Sequence, residues 1–387
     1  MATSDAPLSV PDVTLAVSRG ASSVGGLTAD GVSGTLANDS TITIAALGGE
    51  SFGGGPQIAN MEDFRGGEGK HLQLIANADE RLAGDYYDIG GGSKYYTNDS
   101  HSGSASAIWI SNTPEEGANT LGLRMTTDPN NDPDDPAQDF YQDVFVSYWM
   151  RTPGPYLPFG QNEVTHPGPK IFPSGSNWKM AWLMQGRDGI TAGQGAWDND
   201  VVLPTFVTTA RCTGNNGGQR IDRLRVEFGN LGSDQDWWEW DYWQRLSFWL
   251  SDTNSGQFFI QKVSPGPNGY FSGSGPLENP LNAAGAGNGM NAMNIDGWKR
   301  DIADGTLILA DDIYWAVGPN CAARVEIGDS DVYEQCSELS ICRVDSWSDT
   351  EIAVKALFGA LTPAAGQTIY VFNYLNQLVS QRTLQNG

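Results

Sequence analysis

The residues best equipped for chemistry stand together in one run, Asp236-Trp237-Trp238-Glu239-Trp240-Asp241-Tyr242-Trp243. On a strand, alternate side chains share a face, so Glu239 and Asp241 point the same way with aromatic rings on either side of them. Two carboxylates on one face can divide acid and base work. The same run also makes a platform for sugars. Flat rings cover the C–H side of a pyranose, and carboxylates accept hydrogen bonds from its hydroxyls. The carbohydrate-binding candidates are therefore Trp237, Trp238, Glu239, Trp240, Asp241 and Tyr242. The competing structural reading is that Trp238, Trp240 and Tyr242 form a core-facing stripe and Trp243 anchors the next strand.

Other candidates are weaker. His71, His101 and His166 are far apart, each among Gly, Ser or Pro, and no Gly-x-Ser-x-Gly surrounds a serine, so the three are read as surface or turn histidines. The stretch from Asp128 to Pro136 is dense in oxygen ligands, which makes Ca²⁺ the one cofactor worth naming. It lacks the spacing and the glycine of a calcium loop, and a solvated acidic loop with no cofactor is the expectation. Cys212, Cys321, Cys336 and Cys342 form no metal-ligand spacing. Buried free thiols are expected, with a bridge from Cys321 or Cys336 to Cys342 as the alternative. Asn38 and Asn98 match the glycosylation sequon and are expected to be unmodified.

The chain has 22 Lys plus Arg against 46 Asp plus Glu, a formal net charge of -24. Such a surface repels phosphate backbones and anionic lipid, so nucleic acid and membrane are set aside as partners. Gly (48), Pro (20), Trp (13), Tyr (13) and Phe (14) are plentiful, and helical spacing of apolar residues is missing. The expected class is all-β. No stretch approaches the ~20 apolar residues of a membrane helix. The N-terminal residues MATSDAPLSVPDV have neither the basic nor the apolar region of a signal peptide. The expectation is a protein made in a cytoplasm and released as virion parts are, or one whose leader was trimmed.

The elements that must position these residues turn on Thr306 to Asp329. Leu307 to Val317 is apolar on both alternating faces, which predicts a strand covered on both sides. Leu307, Leu309, Ile313, Trp315 and Val317 would share one face, and Ile308, Ala310, Tyr314 and Ala316 the other. Gly318-Pro319-Asn320 breaks the ladder, and Arg324 to Ile327 restarts an alternating strand expected to be half-buried. Between residue 60 and this point the strand candidates are SASAIWIS, NTLGLRMT, DVFVSYWMR, WKMAWLMQ, VVLPTFVTTA, LRVEFGN, QRLSFWLS, GQFFIQKV and LILADDIYWAV. With no fixed-period repeat, they predict a two-sheet jelly roll.

Two resemblances follow. Gly34-Thr35-Leu36-Ala37-Asn38-Asp39-Ser40-Thr41-Ile42-Thr43-Ile44 with Phe52-Gly53, then Arg324 to Asp329, Trp347 to Val354 and Gly366 to Asn373, resembles the two halves of a TIG (IPT) immunoglobulin-like domain. In that family the halves adjoin. Here about 260 residues lie between them, which implies an inserted domain. The insert is similar to the concanavalin A-like lectin/glucanase (laminin-G-like) superfamily at Phe145 to Arg151, Trp243 to Leu250 and Ala310 to Trp315. Its retaining glucanases use Glu-x-Asp-x-x-Glu, the last residue being the general acid. This chain has Gln244 there, and a neutral amide cannot protonate a leaving group. Lyases of the superfamily carry a basic Arg-x-Glu-x-Arg strand and Gln-x-His. Arg223 to Glu227 holds the ingredients in another order, and Gln-x-His does not occur.

The sequence thus predicts an N-terminal arm (1–20), the first half of an immunoglobulin-like domain (21–57), a jelly roll (58–319) and the second half (320–387). The whole resembles phage virion surface proteins. The expected function is non-enzymatic: capsid decoration or a tail component, docked on other virion proteins through the immunoglobulin-like part and arm, as a homo-oligomer or alone, with the jelly roll binding glycans. A polysaccharide depolymerase and a ligand-free cement protein are the alternatives.

Overall fold

The computed structural model describes residues 26–73, 75, 86–87, 94–111, 123–126, 141–152, 177–184, 200–205, 210–216, 219–226, 242–251, 257–266, 269–276, 292–295, 299–300 and 306–387. The N-terminal arm, the acidic stretch from Asp128 to Pro136 and His166 lie outside these residues. Among them the chain is all-β, with antiparallel sheets and only short 3-10 turns, such as Arg65–Gly67 and Tyr333–Gln335, for helix. No helix is long and apolar enough to cross a membrane among the described residues.

Two sheets of eight strands form the larger part. The first runs in the order Phe271–Pro276, Gln257–Val263, Gln244–Ser251, Asp143–Arg151, Thr306–Val317, Ser106–Ser111, Lys94–Thr97, and Gln57–Glu62 pairs with the far half of Thr306–Val317. The second runs Gln219–Val226, Ala210–Asn216, Asp200–Thr205, Asn177–Met184, Ala292–Ile295, Leu123–Thr126, Tyr86–Tyr87, with Lys299–Arg300 beside Asn177–Met184. Consecutive strands alternate between sheets: Ser106–Ser111 lies in the first, Leu123–Thr126 in the second, Asp143–Arg151 in the first and Asn177–Met184 in the second. This wrapping of one chain around two sheets is the jelly-roll plan.

The chain ends pair with each other. One four-stranded sheet joins Val32–Gly34 and Thr41–Ala45 to Glu351–Lys355 and Arg343–Trp347, and a second contains Leu339–Ile341, Arg324–Gly328, Thr368–Phe372 and Leu378–Thr383. Thr41–Ala45 and Glu351–Lys355 both alternate β-branched or small apolar residues with polar ones, and each buries its apolar side only. Ile42, Ile44 and Phe52 from the first chain end pack with Val325, Ile327, Ile352, Val354, Ile369 and Val371 from the second in one core.

Two expectations about the central stretch need correction. Thr306–Val317 is covered on both sides from Ile308 on, save half-buried Asp312, but it is not one uninterrupted alternation. Asp311 sits opposite Trp149 and Tyr314 opposite Ser147, so one extra residue is inserted between them. This β-bulge flips the parity. Leu309 therefore shares a face with Tyr314 and Ala316, whereas Ile308 and Ala310 share one with Trp315 and Val317. Arg324–Gly328 was expected to be half-buried and is buried throughout, because its charged face lies against the first large sheet. Lys94–Thr97 and Phe271–Pro276 escaped the sequence reading. The latter is rich in Gly, Ser and Pro, poor strand formers that hold here as an edge paired along Gln257–Val263.

Candidate functional site

The chemistry-bearing side chains collect where the outer face of the first large sheet meets the chain-end strands. On that face Phe145, Ser147 and Trp149 alternate along Asp143–Arg151, opposite Trp249, Ser247 and Arg245 respectively. Phe145, Trp249, Tyr314 and Ala316 pack with Cys321, Ala322 and Ile341 from beyond the Gly318-Pro319-Asn320 break. This second covering layer is why the sheet's strands are apolar on both faces.

Two ionic groups stitch the seam. In the first, the Arg245 guanidinium donates two parallel hydrogen bonds to Glu326, at 2.8 and 2.9 Å, and its Nε donates to Ser147 Oγ at 2.7 Å. Arg324 also donates to Glu326, reaches Ala322 O at 2.8 Å and Asn376 Oδ1 at 2.7 Å, and lies between the rings of Phe145 and Phe372 at 4.5 and 4.0 Å. The Tyr333 hydroxyl donates to Glu326 at 3.0 Å. Burial alone would raise the Glu326 pKa, but the two guanidiniums outweigh it and bring it down to about 2. A buried carboxylate held by two cations keeps its charge.

The second group centres on His101. Its Nδ1 lies 2.6 Å from Asp312 Oδ2 and its Nε2 lies 2.8 Å from Glu338 Oε2, an arrangement that an imidazolium satisfies by donating from both nitrogens. The ring stacks on Trp149 at 3.7 Å, with Trp243 edge-on at 5.9 Å. Asp311, fully buried, accepts the backbone N–H groups of His101 and Ser102 at 2.9 and 3.0 Å, and the Ser102 hydroxyl donates to Asp312. Asp312 adopts a left-handed φ of 46° at the bulge, which aims its carboxylate at the ring. Burial pushes the imidazole pKa down, and the hydrogen bonds and charges of Asp312 and Glu338 outweigh it, so the net shift is upward. Burial, reinforced by Asp312, pushes Asp311 up as well.

Beside both groups the seam leaves a cleft of about 350 Å³, counting the solvent space it opens to, lined among others by Asp63, Ser147, Arg245, Asp312, Tyr314 and Ser340. The Tyr314 hydroxyl is buried there without a hydrogen-bond partner among the described residues.

His101 does lie in the turn segment between Lys94–Thr97 and Ser106–Ser111, but the surface part of the expectation is overturned. It is no surface histidine; its side chain is 2% exposed, because two carboxylates and a tryptophan face close over it. The sequence signal for this was the Asp311-Asp312 pair, charged residues in the middle of an apolar strand. His71 does lie at an exposed position, where its Nδ1 accepts the Asn98 N–H at 3.3 Å. Of the proposed sugar platform, Trp237, Trp238, Glu239, Trp240 and Asp241 lie outside the described residues. Tyr242 is 44% exposed, and Trp243 is half-buried against His101. Gln244, standing where glucanases place their general acid, is fully buried. Cys321, Cys336 and Cys342 are buried free thiols. No cluster of side chains suited to a metal ion occurs among the described residues.

No family model and no curated protein matches the chain. Solved structures that it resembles include an endo-β-1,4-glucuronan lyase from the fungus Trichoderma reesei, at 9% identity and TM-score 0.37, covering 68% of this chain and 96% of that one. Another is a carbohydrate esterase from the Shiga toxin-encoding bacteriophage phi24B, at 14% identity and TM-score 0.32, covering 64% and 98%. A third is lectin UEA-II complexed with galactose, at 6% identity and TM-score 0.28, covering 63% and 96%. These similarities are distant, and the fold described above rests on strand pairing and order.

Proposed function

We propose that this is a non-enzymatic, glycan-binding surface protein of a bacteriophage virion, in capsid decoration or the tail. In this reading the jelly roll of residues 58–319 is inserted between the two halves of an immunoglobulin-like domain, 21–57 and 320–387. The observation that carries it is the contrast between the two candidate chemistries. The His101 imidazole is stacked against Trp149, only 2% exposed, with both ring nitrogens tied up by Asp312 and Glu338. Tyr242 of the aromatic run is instead exposed at the surface. An exposed ring beside a carboxylate-bearing run supports a shallow sugar platform. Strand pairing between Thr41–Ala45 and Glu351–Lys355 supports the split domain. The acidic surface, with its formal net charge of -24, suits a protein displayed at high density on a particle.

Affinity electrophoresis through gels containing bacterial polysaccharides tests the ligand. Retardation by at least one of them is expected, and it should be lost in a Trp240→Ala/Tyr242→Ala variant whose thermal midpoint matches the wild type. Release of reducing ends or unsaturated sugars by the purified protein would overturn the non-enzymatic part and favour a depolymerase. Mass spectrometry of purified virions tests the setting, since the reading requires the protein at a fixed copy number per particle.

A further inference from the structure

We propose that the seam is closed by one anchor, around Glu326, that holds as pH rises, and one clasp, around His101, that depends on a bound proton, so that its His101 edge loosens as pH rises while its Glu326 edge stays shut. The two groups hold the same faces together by opposite electrostatic designs. At the anchor one carboxylate serves two guanidiniums, which stay charged at any pH a protein meets. At the clasp one imidazole serves two carboxylates, Asp312 from the bulge and Glu338 from beyond the Gly318-Pro319-Asn320 break.

Among the described residues, no cation other than His101 is paired with Asp312 or Glu338. Asp312 and Glu338 face the ring nitrogens and Asp311 holds its backbone. Trp149 and Trp243 cover it without charge, and Gly359 approaches its Cε1 side without a side chain. Of the nearby acidic groups, Asp63, which feels the charge of Asp312, is paired with Arg65, and Asp99 is paired with Arg151. When the imidazolium loses its proton, Asp312 and Glu338 face each other across a neutral ring that can donate to only one of them.

The signs agree. His101 has a folded pKa above its ordinary value of 6.5, so its contribution is fully present below about 6.5 and is lost as pH rises through the folded value. Asp311 is also raised, so its ionisation in the folded state opposes closure in the same direction. Glu326 is lowered, so its contribution is lost only as pH falls towards about 2. The His101 and Glu326 windows do not overlap. Because Trp243 meets His101 edge-on and leads directly into the buried strand Gln244–Ser251, a loosened clasp frees the edge next to exposed Tyr242.

Hydrogen exchange at pH 5.5 and 8.5, corrected for intrinsic rates, tests this. Residues 98–106 and 337–341 should lose protection by about ten-fold or more at the higher pH, while 324–328 keeps theirs, and Glu338→Gln should flatten the response. Equal protection of the clasp segments at both pH values overturns the proposal. Should the variant fail to fold, NMR titration of the wild-type imidazoles decides: His101 must titrate above 6.5, and a value at or below it overturns the proposal. His71→Gln and His166→Gln supply the assignment.

Discussion

Glu326 shows how far one side chain can be committed to holding surfaces together. It is buried completely, and both oxygens are taken by Arg245, Arg324 and Tyr333. Replacing it by Gln leaves two guanidiniums buried against a neutral amide, and we expect a loss of about 3–5 kcal/mol in urea unfolding at pH 7. The same residue sets the acid limit. Because its pKa is lowered when folded, wild-type stability should fall as pH drops from about 4.5 towards 2, and Glu326→Gln should lack that part of the slope. Denaturant midpoints at pH 7, 4.5 and 3 for both proteins measure it; parallel curves would remove Glu326 as the cause.

Turns and the bulge decide which residues meet. Val32–Gly34 pairs with Thr41–Ala45, and Gly34 takes φ 104° with the Thr41 carbonyl oxygen 2.5 Å from where a Cβ would stand. Gly34→Ala forces both a disfavoured backbone and a clash, and we expect about 1–3 kcal/mol of destabilisation, read as a lowered thermal midpoint. A substitution at Gly48, also at positive φ but with open space around it, should cost less, since it meets only the backbone penalty. The bulge at Asp311 to Tyr314 works on the same scale. The extra residue brings Asp311 and Tyr314 onto one face, which places carboxylates over His101 and the Tyr314 ring against Phe145.

Across the whole molecule, the last strands complete a sheet begun at the other end of the chain. A fragment ending at residue 320 leaves Thr41–Ala45 without Glu351–Lys355 and exposes Phe145, Trp249 and Tyr314 to water. We expect it to aggregate or to bind a hydrophobic dye, and co-expression with residues 321–387 to restore solubility. A soluble, dye-silent fragment would show that the large sheets need no cover on that face.

Much of this was legible in the residues themselves. Alternation marked Thr41–Ala45 and Glu351–Lys355, because a strand's two faces see different solvents and its side chains record it. Asp143–Arg151 and Gln244–Ser251, buried on both faces, were marked instead by apolar and aromatic runs between turn residues. Apolar residues on both faces of Thr306–Val317 already implied two covering layers, and the Gly318 turn marked where the chain passes from one layer to the other. What the local pattern could not show was where charges go. Arg245, Glu326, His101 and Glu338 look like solvated residues when read singly, since a buried charge is tolerated only with a partner, and here the partners lie 81 and 237 residues away in sequence. Tertiary structure alone joined them, and in doing so it turned a presumed half-exposed strand and a surface histidine into the two fastenings of one seam.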